Sequence, residues 1–486
     1  MYLMYSSVSS KVKAFYTFIN TDESLKKFQE PKWSIRIFIF IALLISFSIL
    51  LTVSYKSMMI PNKFIVRLSG KERAPLKHIT RSITKFADYY FTESESRYLN
   101  CARLIDGDVE SIDTYVNNGR MKLDEEKLFQ LSMDCDSIQN RIFRDMPPFE
   151  KLKRPIAFVR NIYGIYELQE VFLSISYHPD NYFCYAMDSK SSEKLKKSMR
   201  IMADCFENVI VLDKEYDMDR AGHKQDAAHF DCLKQILDEH WSHAITLQNF
   251  DLIIKSPKQL SDLSEILNYT SIMGFDYGFT SRYRTFEDWT PAGMKLFKNE
   301  QSVPLEILHK KLKIRKSLNE VILSKVFVKS LFDKVNLQNV IKRFDDRTLF
   351  GVDEMMVMTL FENYLGLDGQ MESNCTVAKE DILTRQTHWH LEQSDGLYQD
   401  CKSKWLRHSI CVIGVEFLQE LSKSPMVIAN KVTANFDFGT IICVREMIKT
   451  NKTGNNPDSQ WLSYFPQFRE MLLKANGTYY KNSFQC

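Results

Sequence analysis

Two adjacent acidic residues, Asp353 and Glu354, begin a strongly apolar run in the segment FGVDEMMVMTL (350–360). The pattern predicts a helix capped by Asp353. Three residues have the spacing of its buried face: Met355, Met358 and Phe361. Glu354 then falls in the first turn, where the helix dipole favours an ionised carboxylate. Such a carboxylate is either a surface charge at a helix end or a general base that accepts a proton from a substrate, and the segment alone leaves both alternatives open.

Two further acidic residues end apolar runs of strand length. Asp188 closes YFCYAMD (182–188), and Asp251 closes HAITLQNFD (243–251). Two more runs have the same character: IAFVRN (156–161) and NVIVLD (208–213). Each predicts a short, buried strand.

Helical patterns separate these four runs. Apolar residues recur with helical spacing in three sets: Leu168, Val171, Phe172 and Ile175; Leu195, Met199, Met202 and Phe206; and Phe230, Leu233, Leu237 and His240. The alternation predicts right-handed crossovers and an α/β fold with a doubly wound, mostly parallel sheet flanked by helices. Because such sheets bind ligands at the carboxyl ends of their strands, we expect Asp188 and Asp251 to face one crevice.

Composition and absent motifs exclude several classes of protein. The 486 residues carry a net charge of +3 with both signs interspersed, which argues against nucleic acid as a partner. The dinucleotide and P-loop glycine motifs and the hydrolase motif G-x-S-x-G do not occur. The zinc motif H-E-x-x-H is also missing, and His240 and His243 are expected to pack or to face solvent.

One uncharged apolar run, IFIFIALLISFSILLTVSY (37–55), has the length of a membrane span. As a helix it measures roughly 28 Å, close to the thickness of a bilayer core. Trp33 and Tyr55 flank it where an aromatic belt would lie. The apolar region of a cleaved signal peptide is about 7–15 residues long, so a signal anchor fits better.

Cysteines and glycosylation sequons give the orientation of this span. All ten cysteines follow it, from Cys101 to Cys486, as expected for a disulfide framework in an oxidising lumen. Four sequons also follow it, at Asn268, Asn374, Asn451 and Asn476. A nucleotide-binding crevice without glycine loops, in a lumenal protein on a membrane anchor, suggests a nucleotide-sugar transferase.

These observations predict five segments along the chain. In order they are a cytosolic tail (1–36), the transmembrane anchor (37–55), a stem and N-terminal lumenal region (56–150), a catalytic domain (151–450) and a C-terminal extension (451–486).

Five blocks, in order, resemble the core-2/I-branching glycosyltransferases (glycosyltransferase family 14), which add β-1,6-linked N-acetylglucosamine. They are RPIAFVRNIYGIYELQEVFLSISYHPDNYFCYAMDSKSS (154–192), CFENVIVL (205–212), CLKQILDEHWSHAITLQNFDLIIKS (232–256), FGVDEMMVMTL (350–360), and RHSICVIGVEFLQEL with IANKVTANFDFGTIICVREMI (407–448). Each block alone is a weak pattern, but five in family order form a specific one.

The resemblance implies a GT-A-like fold and a Golgi membrane enzyme, single-pass type II, with its catalytic body in the lumen. It implies inverting transfer of N-acetylglucosamine from UDP-N-acetylglucosamine to the 6-hydroxyl of an O-glycan or glycoprotein acceptor, without metal or other cofactor. Glu354 would be the catalytic base, and Trp389 a platform for the acceptor sugar. The implied donor-binding residues are Val159 and Asp188 at the uridine end and Arg407 and Lys431 at the diphosphate.

The implied absence of a metal agrees with the local sequence. Metal-dependent relatives carry Asp-x-Asp at a strand end, whereas HAITLQNFD ends with a single acidic residue, Asp251. The motif DMD (217–219) does occur, but beyond a strand, where it is expected to be a solvated acidic loop. Arg and Lys can balance the charge of a leaving diphosphate in place of a cation, which suits Arg407 and Lys431.

Departures from the family pattern leave alternatives open. Arg160 and Asn161 stand where the family has His-Lys, and residues 270–320 match no family block. The alternatives are a transferase of the same fold that uses another UDP-sugar, such as xylose or glucuronic acid, and a lumenal glycan-binding protein without activity.

Overall fold

A mixed five-stranded sheet forms the centre of the fold. The computed structural model describes residues 89–123, 131–274, 276–277, 279–370, 383–389 and 401–478. Its strands are β1 (Ile156–Ile162), β2 (Tyr182–Met187), β3 (Val209–Val211), β4 (His243–Leu247), β5 (Leu252–Ile253), β6 (Asp276–Tyr277), β7 (Arg315–Lys316), β8 (Ile322–Ser324), β9 (Arg385–Gln386), β10 (Leu406–Arg407), β11 (Ile410–Cys411) and β12 (Ile428–Ala429).

Helices surround the sheet and build the segments before and after it. They are α1 (Glu93–Ser96), α2 (Cys101–Ile105), α3 (Val109–Asn117), α4 (Cys135–Ile142), α5 (Tyr166–Ser176), α6 (Glu193–Asp204), α7 (Gln225–Gln235), α8 (Pro257–Leu267), α9 (Pro291–Met294), α10 (Leu305–Leu308), α11 (Lys325–Lys334), α12 (Leu337–Phe344), α13 (Met356–Glu362), α14 (Leu418–Leu421), α15 (Ala434–Lys449), α16 (Ser459–Leu462) and α17 (Pro466–Ala475).

The central sheet has the order β3-β2-β1-β4-β8. Strands β1 to β4 are parallel, and β8 pairs antiparallel with β4. Helices α5, α6 and α7 are the crossovers between successive parallel strands, which confirms the predicted mostly parallel α/β sheet. The order reverses between β1 and β4, so the crevice of the sheet opens at the carboxyl ends of these two strands.

Alternating residues of β1 face two cores. Phe158 packs with Leu168 of α5 in one apolar cluster, whereas Val159 packs with Phe230 of α7 in the other. Helices therefore cover both faces of the sheet, as the periodicity predicted. Helix α7 ends at Gln235, however, so the predicted continuation of its pattern to Leu237 and His240 is wrong.

Two small sheets extend the crevice beyond β4. Strand β12 pairs antiparallel with β5 and parallel with β9. Strands β10 and β11 form a tight antiparallel hairpin. These elements bring residues far apart along the chain to the end of β4.

The described residues shortly before β1 belong to the packed body. The carboxylate of Glu170 on α5 accepts hydrogen bonds from Arg141 (2.6 and 2.9 Å) and from the Tyr90 hydroxyl (2.7 Å), all buried. Asp437 on α15, fully buried, accepts from Arg120 (2.7 Å) and Tyr115 (2.8 Å). The described residues at 89–123 and 131–150 thus pack against the predicted catalytic domain. Those at 451–478 do so too, since Gln467 accepts a hydrogen bond from the Ser271 backbone amide, and the boundaries at 150 and 450 stay predictions.

Disulfides join the N-terminal helices to the sheet-bearing part, in agreement with the predicted framework. The described pairs are Cys101–Cys443, Cys135–Cys205, Cys184–Cys232 and Cys401–Cys411. Cys375 and Cys486 lie outside the described residues.

Several predicted features fall outside the described ranges. The cytosolic tail, the span 37–55, most of the stem and Asn374 are among them. Within the described ranges no helix has the length and apolar character needed to cross a membrane. The other three sequon asparagines, Asn268, Asn451 and Asn476, are exposed.

Replacing Glu170 with alanine is expected to lower the free energy of unfolding by about 3–5 kcal/mol, because Arg141 would remain as a buried charge without its carboxylate. Chemical denaturation of the purified chain measures the loss. The control is Asp333→Ala, which breaks an exposed pair with Lys329 (2.7 Å) and should cost less than about 1 kcal/mol. Similar losses in the two variants would contradict a structural role for the Glu170 cluster.

Candidate functional site

The acidic pair lies in a short 3₁₀ turn, Val352–Glu354, directly before α13. Asp353 does not cap α13, contrary to the sequence prediction. Its carboxylate is buried and accepts hydrogen bonds from Asn319 Nδ2 (2.7 Å) and Gln248 Nε2 (3.3 Å). The turn starts after Gly351, whose φ of 70° is in the left-handed region. The predicted apolar face of α13 is confirmed, since Met355, Met358 and Phe361 are all buried.

Glu354 is held by two cations from the segment that matched no family block. Arg282 forms a salt bridge with Glu354 Oε2, and Lys316 Nζ lies 3.3 Å from the same oxygen. A Cβ at position 351 would lie 2.4 Å from the Arg282 guanidinium, so this approach needs Gly351. Among the described residues, Glu354 Oε1 has no hydrogen-bond partner. One carboxylate oxygen is therefore fixed, and the other is available to accept a proton.

The loop after β4 joins the acidic pair to the rest of the crevice. The Asp251 carboxylate is fully buried and accepts from the Gln248 backbone amide (2.5 Å) and from Asn430 Nδ2 (2.7 Å). Arg160 Nη1 donates to the carbonyl oxygens of Gln248 and Asp251, each at 2.8 Å. Asp251 therefore supports the crevice from inside and does not face it, contrary to the prediction.

A second buried acid lies beside Asp251. Glu320 is paired with Arg385 (2.6 Å), and burial raises the pKa of Glu320 to about 8 against the opposing effect of Arg385. The charge of Asp251 adds to the rise in the pKa of Glu320, so the protonated form of Glu320 is favoured beside that carboxylate. This arrangement lets two carboxyl groups be buried together beneath Lys431.

Arg407 is placed by the β10–β11 hairpin. The two residues of its turn, His408 and Ser409, both have positive φ (54° and 60°), the conformation of a two-residue hairpin loop. The Cys401–Cys411 disulfide fixes the base of the hairpin. The Arg407 guanidinium lies over the Phe250 ring, 4.5 Å from its centre.

Lys431 follows Asn430, which is tied to Asp251. Burial lowers the pKa of the Lys431 ammonium, and the charges of Arg407 and Arg385 lower it further. The charges of Lys431 and Arg407 also lower the pKa of His408, after burial. No described carboxylate lies within 4.0 Å of Arg407 or Lys431. Among the described residues, the two cations thus form an electropositive centre without a carboxylate in direct contact, although the charges of Asp251 and Glu320 oppose the fall in the pKa of Lys431.

Asp188 lies on the β2 side of this centre. It is buried, and its carboxylate accepts from the backbone amide of Lys190 (3.0 Å). Tyr163, at the end of β1, lies near Asp188, Asp251 and Arg407; burial raises its pKa, and Arg407 opposes the rise. Asp188 and Arg407 therefore flank one tyrosine at the carboxyl ends of β1 and β2.

The other two predicted residues differ in exposure. Trp389 is 39% exposed and bridges to Ile410, the residue that pairs with Arg407 in the hairpin. Directly opposed residues share one face of a sheet, so Trp389 and Arg407 are on the same side. Val159 is fully buried in the middle of β1 and does not reach the surface of the crevice.

Hydrogen bonds and chain neighbours link the base to the cations. Asp353, next to Glu354, accepts from Gln248, whose own backbone amide binds Asp251. Asp251 in turn binds Asn430, the neighbour of Lys431. The structure thus joins Glu354 and Lys431 through the end of β4, although 77 positions separate them in the sequence.

The acidic residues of the DMD motif (217–219) form ion pairs with basic side chains of the protein. Asp217 pairs with Lys190 (2.7 Å) and Arg347 (3.1 Å), and Asp219 pairs with His223 (2.7 Å). In the part of the chain that the structure describes, no group of three or more His, Cys, Asp or Glu side chains could hold a metal ion.

Sequence reasoning missed Arg282, Lys316, Gln248 and Tyr163. Arg282 and Lys316 lie in the segment 270–320, which matches no family block, and a salt bridge across 72 residues leaves no local pattern. Gln248 and Tyr163 were within reach, because Gln248 lies in the predicted strand run 243–251 and Tyr163 lies two residues after the run 156–161. In the structure each directly follows the last residue of a central strand. The signal that could have identified these two residues as part of the site was their position near the end of a strand.

Comparison with known proteins gives one family. The protein-family model described as "Core-2/I-Branching enzyme" matches residues 156–422, more than half of the chain. The chain is 21% identical over 369 residues to a Mus musculus protein named beta-1,3-galactosyl-O-glycosyl-glycoprotein beta-1,6-N-acetylglucosaminyltransferase 3, covering 72% of this chain and 83% of that protein. It is 22% identical over 372 residues to the Homo sapiens protein of that name, covering 73% and 83%.

A viral protein and a solved structure are also similar. The Bovine herpesvirus 4 protein named beta-1,3-galactosyl-O-glycosyl-glycoprotein beta-1,6-N-acetylglucosaminyltransferase is 22% identical over 372 residues, covering 73% of this chain and 83% of that protein. The mannosyltransferase Ktr4p from S. cerevisiae, at 12% identity, covers 55% of this chain and 83% of its own with a TM-score of 0.22, too low to support a statement about the fold.

The Asp353 carboxyl is expected to make stability fall as pH rises. Burial, and then the charge of Glu354, raise the pKa of Asp353 to about 7 in the folded chain, against about 3.9 in the unfolded one. Between these values the folded chain binds more protons, so the free energy of unfolding decreases from about pH 4 to pH 7. Asp353→Asn keeps an acceptor oxygen for Asn319 and Gln248 and should flatten this decrease in urea denaturation at a series of pH values. An unchanged slope would contradict the raised pKa.

Proposed function

The chain belongs to the core-2/I-branching enzyme family and is a glycosyltransferase, and we propose that it transfers N-acetylglucosamine from UDP-N-acetylglucosamine to the 6-hydroxyl of an O-glycan acceptor sugar, with inversion and without a metal ion. The donor, the stereochemistry and the metal independence are parts of this proposal. The names of the relatives support the donor sugar and the linkage.

The observation that carries the proposal is the pair of cations, Arg407 and Lys431, without a described carboxylate partner at the crevice. Two fixed positive charges on rigid supports suit the diphosphate of a nucleotide sugar. They would stabilise the negative charge that develops on the leaving UDP. A preorganised site provides this stabilisation without rearranging during the reaction. Asp188, beside Tyr163, would contact the uridine end of the same donor.

Glu354 is the proposed general base. A sugar hydroxyl is a weak acid, so its attack on the anomeric carbon is assisted when a carboxylate accepts the proton. Arg282 and Lys316 hold Oε2, which leaves Oε1 for the acceptor hydroxyl. Inversion requires a single displacement with the base on the face opposite the leaving group, as in inverting glycosidases.

The acceptor is proposed to lie between Glu354 and Trp389. An exposed indole offers an apolar face for a sugar ring, and Trp389 is on the same side of its sheet as Arg407. At the departure from the family pattern, Arg160 is buried and binds backbone carbonyls of the loop after β4, so its side chain supports the crevice from inside. We further propose a Golgi membrane location, with the span 37–55 as anchor and the body in the lumen.

A transfer assay with UDP-N-acetylglucosamine, a β-1,3-galactosyl-GalNAc acceptor and a chelator tests the proposal. We expect a β-1,6-linked product in the presence of the chelator, and loss of turnover by roughly 10²- to 10⁴-fold in Glu354→Gln. The variant should still bind UDP, since the base is separate from the phosphate-binding cations. Glu306→Gln, on exposed α10, is the matched control and should keep full activity.

Three outcomes would contradict parts of this proposal. Activity that depends on added manganese would exclude the metal-independent mechanism. Transfer only from UDP-xylose or UDP-glucuronic acid would exclude the proposed donor. Binding of glycans with neither transfer nor donor hydrolysis would indicate an inactive glycan-binding protein.

Lys431→Ala and Arg407→Ala are each expected to weaken UDP binding by roughly 10- to 150-fold, the equivalent of about 1.5–3 kcal/mol for a hydrogen bond to a charged group. Isothermal titration calorimetry at two salt concentrations measures the loss and its salt dependence. The control Lys423→Ala removes an exposed lysine near α14 and should leave the dissociation constant unchanged. Equal affinities in all three variants would place the diphosphate elsewhere.

A further inference from the structure

A cleft of about 500 Å³ lies on the edge of the sheet opposite the candidate site. Leu152 and His178 line it, and they precede β1 and β2, so the cleft is at the amino ends of these strands. The start of α8, at Pro257, forms a second wall. The end of α15, with Ile448 and Asn451, forms the third. Its volume is in the range of sites for small ligands, about 300–1,000 Å³.

The floor of the cleft is apolar, with aromatic rings and prolines. Phe149 contacts Tyr177 edge-on, with ring centres 5.8 Å apart, and Ile175, Pro148 and Ile448 complete the surface. Such a surface suits the apolar C–H face of a pyranose ring, in the way that aromatic side chains present a large apolar body to a partner.

The charged residues at the rim are mostly neutralised. Lys258 pairs with Asp262 (2.9 Å), and Lys153 pairs with Glu265 (2.9 Å). Lys449 lies 3.5 Å from Glu446. The rim therefore offers N–H donors from these lysines and acceptor oxygens from Asp262 and Glu150, to which a neutral ligand rich in hydroxyl groups can bond. The chemistry fits a carbohydrate.

Asn451, which lines this cleft, is the acceptor residue of the sequon Asn-Lys-Thr. It is exposed, and its backbone amide donates to the carbonyl of Ile448 (3.1 Å) with φ at 53°, so it ends α15 in a fixed left-handed conformation. Asparagine is common at such helix ends without any glycan. The cleft is the independent observation, because Asn268 and Asn476 also end helices at exposed sequons but line no part of it.

We propose that Asn451 carries an N-linked glycan whose first sugars, neutral N-acetylhexosamines, occupy this cleft. Attachment forms a bond between Asn451 Nδ2 and the anomeric carbon of the sugar. The bond from that carbon to the diphosphate of a lipid-linked oligosaccharide breaks, and the amide proton passes to a base of the modifying enzyme. The proposal requires that residues after the span enter the secretory lumen, and it is independent of the reaction proposed above.

A glycan in the cleft would contact parts of the chain that form its opposite sides. Residues 146–153, ahead of β1, form one side, and α15 forms the other. Arg445 of α15 already donates to the carbonyl of Arg144 (2.6 Å) next to this segment. The sugars would extend this contact along the cleft.

Native digestion with peptide-N-glycosidase F of the full chain, expressed in a eukaryotic secretory host, tests the proposal. Site-resolved mass spectrometry should find Asn451 glycosylated and released at least 10-fold more slowly in the native protein than after denaturation. The glycans at Asn268 and Asn476 are the internal controls and should show no such protection. An unoccupied Asn451, or equal release rates at the three sites, would overturn the proposal.

Thermal unfolding provides a second measurement. Asn451→Gln should lower Tm by about 2 °C or more, whereas Asn268→Gln and Asn476→Gln should not change it. Thr453→Ser keeps both the sequon and a hydroxyl for the bond with Gln259, and it should retain the Tm of the parent chain. If Asn451→Gln and enzymatic removal of the glycan both leave Tm unchanged, the sugars do not fill the cleft.

Discussion

The buried carboxylate of Asp251 is the interaction on which the crevice depends. A charged group without exposure is stable only when its oxygens are satisfied, and here Gln248 and Asn430 provide the hydrogen bonds. One of these partners leads to Asp353 and the base; the other leads directly to Lys431. A single buried group therefore sets the positions of both the base and the cations. It does so through hydrogen bonds of 2.5 and 2.7 Å and not through mobile side chains.

The site combines cations in two different situations. Arg282 and Lys316 are paired with Glu354, so they orient its carboxylate and contribute little positive charge of their own to the site. Arg407 and Lys431 have no such described partner, and Arg407 is braced by an aromatic ring and a disulfide-closed hairpin. Holding like charges close together costs free energy that an incoming anion recovers. A diphosphate would bind at the cations that have no carboxylate partner among the described residues, so the placement of the carboxylates matters more than the number of cations.

How much of this structure could be predicted from the sequence depends on how far apart along the chain the interacting residues lie. Strands β1 to β4 and their crossovers were predictable because side-chain periodicity is local. The antiparallel β8, only three residues long, carries no comparable pattern. The capping role of Asp353 was wrong because a tertiary contact with Asn319 took the place of the local hydrogen bond. The family blocks pointed to Glu354, Arg407 and Lys431, but the residues that hold Glu354 come from the segment 270–320, which matches no family block, so only the folded chain identifies them.

The disulfide between Cys101 and Cys443 spans 342 positions, and nearly all of the sheet-bearing part lies between its two ends. A single proteolytic nick in any surface loop between these cysteines therefore cannot separate the fragments. Such a nicked molecule migrates as an intact chain until a reductant is added. By contrast, a cut ahead of Cys101 lies outside this covalent loop, so the piece before it separates without a reductant.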